Sequence, residues 1–301
     1  MYKIAILLST YNGEKYLNNL LKSLKSQRKV LLRIYVLDDS SNDNTMNILK
    51  NSDLDLEILS SSGFRDPSKN FFYLLKNVPT NFDYYCFCDQ DDVWLKNKII
   101  YSIYKLKSEN ADILGSRTYY TDKNLKIYGT SLFFKKKLSL ENSLVQSITG
   151  GNTQIWTQNF HNKISKLCLS SPASHDWMLY QIAMLTNSKF VYLKKPLVLY
   201  RQHENNKIGA NTGILNLIKR IHSGLRGNFK KSHNQNKNHL FNAISILDVP
   251  ERNKQIIKFF FEAMEDNFFL KFYKLLFVLK IYRQTFKGNL MLLLAILLNK
   301  I

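Results

Sequence analysis

The sequence predicts an α/β core with a mostly parallel sheet flanked by helices, followed by an all-helical C-terminal extension. Three observations predict it. Short apolar runs alternate with helix-spaced segments through the first two thirds of the chain. Each conspicuous polar cluster directly follows one of those runs, so the clusters gather at the carboxyl edge of the sheet. Beyond about residue 211 strand-like runs stop while helical spacing continues.

Ile4–Leu8 is a continuous apolar run, as expected of a strand buried on both faces, and it ends in Ser9-Thr10-Tyr11-Asn12-Gly13. Leu17, Leu20, Leu21 and Leu24 then repeat at helical spacing. Leu32–Leu37 reads as the second strand and runs into Asp38-Asp39-Ser40-Ser41-Asn42-Asp43. A short helix over 46–50, a strand over 54–59 and a helix around 71–76 follow. The fourth strand, Tyr84–Cys88, leads into Asp89-Gln90-Asp91-Asp92-Val93-Trp94. A helix is expected from Trp94 to about Lys107, then a strand over 112–120. Residues 138–156 are mixed, with a Gly150-Gly151-Asn152 turn. A helix over 175–185 and strands over 189–193 and 197–200 close the core. Helical patterns then cover 214–225, 238–247, 253–265, 268–282 and 290–298. The domain boundary is placed near residue 211, with a first half to about 120 and a second over 121–211.

Bulk properties narrow the classes. The 301 residues are 45% hydrophobic and 13% aromatic, enough for a sizeable core. The formal net charge is +20, and residues 205–301 carry 16 basic against 5 acidic side chains. Basic and aromatic residues together can serve nucleic acid or an anionic membrane surface. Three cysteines, Cys86, Cys88 and Cys168, do not make a disulfide framework and fit a reducing compartment. The chain starts straight on a strand-like run, so no leader is expected. The longest clean apolar run, Leu290–Leu298, is short of the roughly 20 residues a spanning helix needs. A cytoplasmic protein is expected.

Three carboxylates within four residues, Asp89, Asp91 and Asp92, repel one another unless a cation intervenes. Hard oxygen ligands in an Asp-x-Asp arrangement suit Mg²⁺ or Mn²⁺, with a substrate diphosphate completing the shell. The alternative is a solvated acidic turn that caps the next helix. Ser9–Glu14 offers hydroxyls, an amide, an aromatic face and a carboxylate suited to a nucleoside; the alternative is a capped helix start. There is no G-x-G-x-x-G and no G-K-[ST], so neither a dinucleotide fingerprint nor a P-loop is supported.

Taken together, Leu8–Gly13, Asp38–Asp43 and Asp89–Trp94 resemble the family 2 glycosyltransferases of the GT-A fold. Further segments agree in order: Gly63 to Asn70, Gly150-Gly151-Asn152-Thr153, His175-Asp176-Trp177 and Tyr200-Arg201-Gln202-His203-Glu204-Asn205-Asn206. The last is similar to the ending of the bacterial rhamnosyltransferase-like branch. The resemblance covers about residues 1–210.

It implies that Asp39, with Thr10, Tyr11, Asn12, Glu14, Ser40 and Asn70, holds the nucleoside of a nucleotide-sugar, with Asp89 and Gln90 beside it. Asp89 and Asp91 are the Asp-x-Asp pair, and His203 is a third metal ligand or a diphosphate donor. Asp176 is the general base, with a helix cap as its alternative. Asp92, Gly151, Asn152 and His175 are candidate acceptor or diphosphate contacts. Arg201 pairs with the diphosphate or with core acids, and Trp94 and Trp177 stack on sugars or pack in the core. Met178 stands where relatives often carry a second aromatic, and Cys88 where Ser is common.

The expected activity is inverting, metal-dependent sugar transfer to a saccharide or lipid-linked acceptor in bacterial surface-polysaccharide synthesis (capsule or O-antigen). dTDP-rhamnose is favoured over UDP-hexoses. No nucleic acid is expected as a partner. The basic tail lies on the inner membrane face, or instead forms a bundle or a homodimer. The rivals are a non-catalytic basic binding protein on an inactive core and a nucleotidyltransferase.

Overall fold

A computed structural model describes residues 1–60, 63–168, 172–204 and 228–301. The expected helix over 214–225 and the Asn205-Asn206 end of the last motif lie outside these. The chain divides into two compact units. The first comprises Met1–Phe133, Thr149–Lys166 and Lys189–Ala210, and the second Phe134–Ile148, Leu167–Ser188 and Asn211–Ile301. The packing units therefore cross the boundary expected near residue 211: two earlier segments pack with the C-terminal helices.

In the first unit β1 (Tyr2–Thr10) leads into α1 (Glu14–Lys25), β2 (Val30–Asp38), α2 (Thr45–Lys50), β3 (Leu56–Ile58), α3 (Pro67–Asn77) and β4 (Tyr84–Asp89). These four strands are parallel, in the spatial order β3-β2-β1-β4. Ile4, Ile6 and Leu8 on one face of β1 share a core with Ile34 and Val36 of β2, Cys86 and Cys88 of β4, and the apolar stripe of α1. Both thiols are wholly buried, and burial pushes the Cys86 thiol up to about 11. The register pairs Thr10 with Asp38 and Ser9 with Asp89, so the carboxyl ends of β1, β2 and β4 lie side by side.

Beyond β4 the sheet is mixed. β5 (Val93–Trp94), α4 (Lys98–Ser108), β6 (Ile113–Thr121), β7 (Ile127–Thr130), β8 (Ile155–Thr157), α6 (Gln158–Ile164) and β9 (Phe190–Arg201) continue the unit. β8, in a stretch read from sequence only as mixed, runs antiparallel between β4 and β6 in the mostly parallel sheet. The two strands expected over 189–200 are one. β9 pairs in parallel with β6 through a register shift around Arg117, opposite Pro196, a residue without an N–H to give the ladder.

The helix expected from Trp94 instead starts at Lys98, with Asn97 at the N-cap position. Val93 and Trp94 pair with Leu199 and Val198 of β9. Asp92 is thus not a helix cap; it is fully buried.

The second unit holds α5 (Leu140–Ser143), α7 (His175–Leu185), α8 (Asn228–Ile246), α9 (Glu251–Glu265), α10 (Phe268–Tyr273) and α11 (Phe286–Leu297). The single helix expected over 268–282 is broken. α10 gives way to a π-helical turn, Lys274–Val278, and Lys280 has a positive φ of 53°. Polar side chains tie the unit together. Asn142 donates to the Tyr282 carbonyl at 2.9 Å and accepts from the Tyr180 hydroxyl at 2.9 Å.

Candidate active site

The β1–α1 and β2–α2 loops are laced together. Thr10 Oγ1 donates to Asp38 Oδ1 at 2.7 Å, Asn12 Oδ1 accepts from the Asn42 amide at 2.8 Å, and Glu14 Oε2 accepts from the Asn44 amide at 2.9 Å. Thr10, Asn12 and Glu14 therefore spend these polar atoms on shaping the loops. Tyr11 differs. Gln90 grips its backbone on both sides, accepting from its N–H and donating to its carbonyl at 2.8 Å each, while its ring is 54% exposed. This clamp needs Gly13, because a Cβ there would collide with the Gln90 carboxamide. Gly13→Ala is expected to open the clamp and weaken nucleotide-sugar binding about tenfold or more, measurable by calorimetry. Unchanged affinity would show that the hold of Gln90 on the β1–α1 loop does not bear on nucleotide-sugar binding.

Asp39 is buried, and its carboxylate accepts from the Arg65 amide at 2.9 Å and from Asn70 Nδ2 at 3.1 Å. Asn70 Nδ2 also donates to Ser9 Oγ at 3.0 Å, while its buried Oδ1 lacks a hydrogen-bond partner among the described residues. A buried acceptor with no donor is costly unless a ligand supplies one. Ser40 adopts a positive φ of 63° beside it. Gly63, also at positive φ, would place a Cβ 2.7 Å from Asp39 Oδ1, so only glycine fits.

The acidic stretch separates into different roles. Asp92 is wholly buried, accepts from Asn152 Nδ2 at 2.5 Å and faces the Arg201 amide at 3.4 Å. Burial, then Asp91 and Asp89, push its carboxyl well above the usual range. Asp91 Oδ2 lies 2.8 Å from His203 Nε2, both part-buried. Arg201 is 2% exposed; its Nε donates to the Asp91 carbonyl at 2.9 Å and its Nη1 to the Lys123 carbonyl at 2.5 Å. Its guanidinium lies 4.4 Å from the Tyr16 ring centroid, and the same ring meets His203 at 4.8 Å. Arg201 thus braces the acidic turn from the inside. Asn152, on the 3-10 turn Gly151–Thr153, holds Asp92.

Trp94 resolves to the core. It is 2% exposed, with Lys98 Nζ 3.2 Å from its ring centroid. Lys98 is itself buried, and burial lowers its ammonium's pKa. The sequence reading missed Tyr16, Lys98 and the Gln90 clamp. Only Tyr16, one turn into α1, carried a usable signal: an aromatic residue just behind the first polar loop.

His175, Asp176 and Trp177 belong to the second unit. Asp176 lies in the first turn of α7, where Ser174 is the N-cap residue. It accepts from Ser147 Oγ at 3.3 Å and from the Ser174 hydroxyl. Burial pushes its carboxyl up to about 6, against the amides of Trp177 and Asp176 itself, which pull it down. His175 opens the same turn and is part-buried. Trp177 also resolves to the core, its Nε1 donating to the Ser143 carbonyl at 2.6 Å.

A parallel half-sheet whose polar loops and acidic turn gather at its carboxyl edge is the arrangement of an α/β protein with a ligand crevice there. The model for Glycosyl transferase family 2 matches residues 5–168, and the chain belongs to that family. It is 36% identical over 229 residues to the dTDP-rhamnosyl transferase RfbG of Shigella flexneri, covering 71% of this chain and 78% of that one. It is also similar to the UDP-Glc:alpha-D-GlcNAc-diphosphoundecaprenol beta-1,3-glucosyltransferase WfgD of Escherichia coli. That identity is 26% over 38% of this chain and 44% of the relative.

Among solved structures, S. aureus TarS 1-349 in complex with UDP-GlcNAc superposes with a TM-score of 0.56 at 19% identity, covering 93% of this chain and 88% of that one. Against a longer TarS chain the coverage is 43% of that chain. The mannosyltransferase PcManGT of Pyrobaculum calidifontis, in complex with GDP-Man and Mn²⁺, gives 0.52 at 11% identity, over 89% and 71%. These structural likenesses carry the fold.

Proposed function

We propose that this family 2 glycosyltransferase moves rhamnose from dTDP-rhamnose, with inversion, to a saccharide or lipid-linked acceptor of bacterial surface polysaccharide. The observation that carries the donor half is the shared edge of β1, β2 and β4, with Asp39 and the Asp89–Asp92 turn at the ends of the two strands that flank β1. The rhamnosyl assignment draws on the similarity to RfbG and on Tyr200-Arg201-Gln202-His203. The alternative donor is a UDP-hexose, favoured by the similarity to WfgD. A lipid-linked acceptor would call the enzyme to the cytoplasmic face of the membrane.

The residues fit a divalent cation. No three His, Cys, Asp or Glu side chains form a metal cage among the described residues. Asp91 and His203 nonetheless pair at one edge, and a Mg²⁺- or Mn²⁺-type site takes one or two protein ligands plus phosphate oxygens and water. Asp91 and His203, with Asp89, would hold it, and a bound cation supplies charge neutralisation for the departing diphosphate. Asp39 and Asn70 receive the nucleoside, the Asn70 Oδ1 acceptor matching a base N–H. Tyr11 offers a stacking face. Asp176 takes the proton of the attacking acceptor hydroxyl, which a carboxyl raised towards neutral pH does well.

Competing dTDP-rhamnose against UDP-glucose and UDP-galactose in one reaction, with the product analysed by NMR, tests the reading. A rhamnoside of inverted anomeric configuration is expected. A hexoside would replace the donor assignment, and retained configuration would contradict the single carboxylate base.

A further inference from the structure

We infer that α10 and α11 form a docking face for an anionic lipid bilayer, with a lysine-lined cavity at its end that takes a lipid phosphate. The inference stands on the second unit alone and is independent of the donor assignment.

The apolar part comes from two helices that each leave one side uncovered. On α11, Leu292 and Ile296 are buried, while Phe286, Leu290, Leu294 and Leu297 recur at helical spacing on the exposed side. On α10 and the π-helical turn, Phe269, Tyr273 and Phe277 recur every four residues, also exposed. Phe286 is 84% and Phe269 81% exposed. Two exposed apolar stripes on helices that pack together mark a candidate interaction surface. Lys271 Nζ donates to Asn299 Oδ1 at 2.5 Å, which ties α10 to the end of α11.

Charge selects the occupant. Residues 267–301 contain six basic side chains (Lys271, Lys274, Lys280, Arg283, Lys287 and Lys300) and no acidic one. Asp266, just before them, is held by Lys274 at 2.8 Å. A second copy docking through the same face would set two such surfaces against each other, which is repulsive. An anionic bilayer is complementary, accepting the aromatic and leucine side chains into its boundary and the exposed Lys280 and Lys287 among its headgroups.

The second observation is a cavity of about 690 Å³ lined by Lys230, Lys231, Asn234 and Gln235 of α8 with Asn299 and Lys300. Asn299 and Lys300 come next in the chain after the exposed Leu297 and Leu298, so the cationic cavity adjoins the end of the apolar stripe. Three ammonium groups and three amides suit phosphate oxygens. α11 has 12 residues, about 18 Å of helix, against a hydrocarbon core of roughly 30 Å. Among the described residues no helix is long and apolar enough to cross a membrane, so this face lies on the bilayer.

The test is co-flotation of the full chain with phosphatidylcholine vesicles, with and without phosphatidylglycerol. The bound fraction should be about tenfold higher on the phosphatidylglycerol vesicles and fall as salt is raised. It should drop at least about fivefold in Phe269→Ser/Phe277→Ser/Phe286→Ser and in Lys230→Glu/Lys231→Glu/Lys300→Glu. Hydrogen exchange of the wild type needs no variant; vesicles should slow exchange over residues 268–297. Equal binding to both vesicles, wild-type binding by both variants, or no protection of that segment overturns the inference. Concentration-dependent dimerisation abolished by the phenylalanine changes would assign the face to a second copy instead.

Discussion

Asp176→Asn is expected to lower kcat by about 10²- to 10⁴-fold while donor affinity stays within about twofold of wild type. The change keeps the shape and one acceptor oxygen, turns the other oxygen into an N–H donor, and removes the proposed proton acceptor. In the wild type kcat should rise with pH through a midpoint near 6, because the carboxyl must be ionised to act and burial has raised it to about 6. The variant's residual rate should lose that midpoint. Stability runs the other way. With the folded pKa above the ordinary value of 3.8, the contribution is complete at lower pH and is lost as pH rises through about 6. Asp176→Asn should therefore be more stable than wild type by about 1–3 kcal/mol at pH 8. Equal kcat, or no stability gain on the alkaline side, would contradict the base assignment or the buried carboxylate respectively.

The second large effect is Arg201→Ala. It removes donors from the Asp91 and Lys123 carbonyls and a buried cation from beside Asp92 and Asp91. Breaking a buried charge network typically costs about 3–5 kcal/mol, and a loss of that order is expected from the urea midpoint and slope. Donor binding should weaken with it, since the acidic turn loses its brace. Arg201→Lys should recover only part of both, because an ammonium lacks the fork that reaches two carbonyls at once. A loss below about 0.5 kcal/mol for the alanine variant would mean the network does not hold the turn.

The elements with intrinsic signals were legible. β1 and β4 read as buried strands because burial on both faces leaves a continuous apolar run, and α1 read from its leucine spacing. β5 and β8 are two and three residues long, and pairing with β9, β4 and β6 decides them rather than local preference. The same holds for Lys194-Lys195-Pro196, which reads as a break yet lies within β9 because its partner strand shifts register there.

At the site, the acids were legible by type and position after a strand. Their division of labour was not. Asp92 is indistinguishable from Asp89 and Asp91 as a letter, but the Asn152 amide, 60 residues away, makes it a buried support. Tyr16, Lys98 and the hold of Gln90 on Tyr11 depend likewise on loops that meet only after folding.

The most direct test of the donor site is calorimetric titration of dTDP-rhamnose into wild type and Asp91→Ala, each with and without Mn²⁺. Mn²⁺-dependent binding by the wild type, weakened at least about a hundredfold in the variant, is the predicted result. Equal binding by the two proteins, or binding indifferent to the cation, would contradict a donor site built on Asp91 and His203.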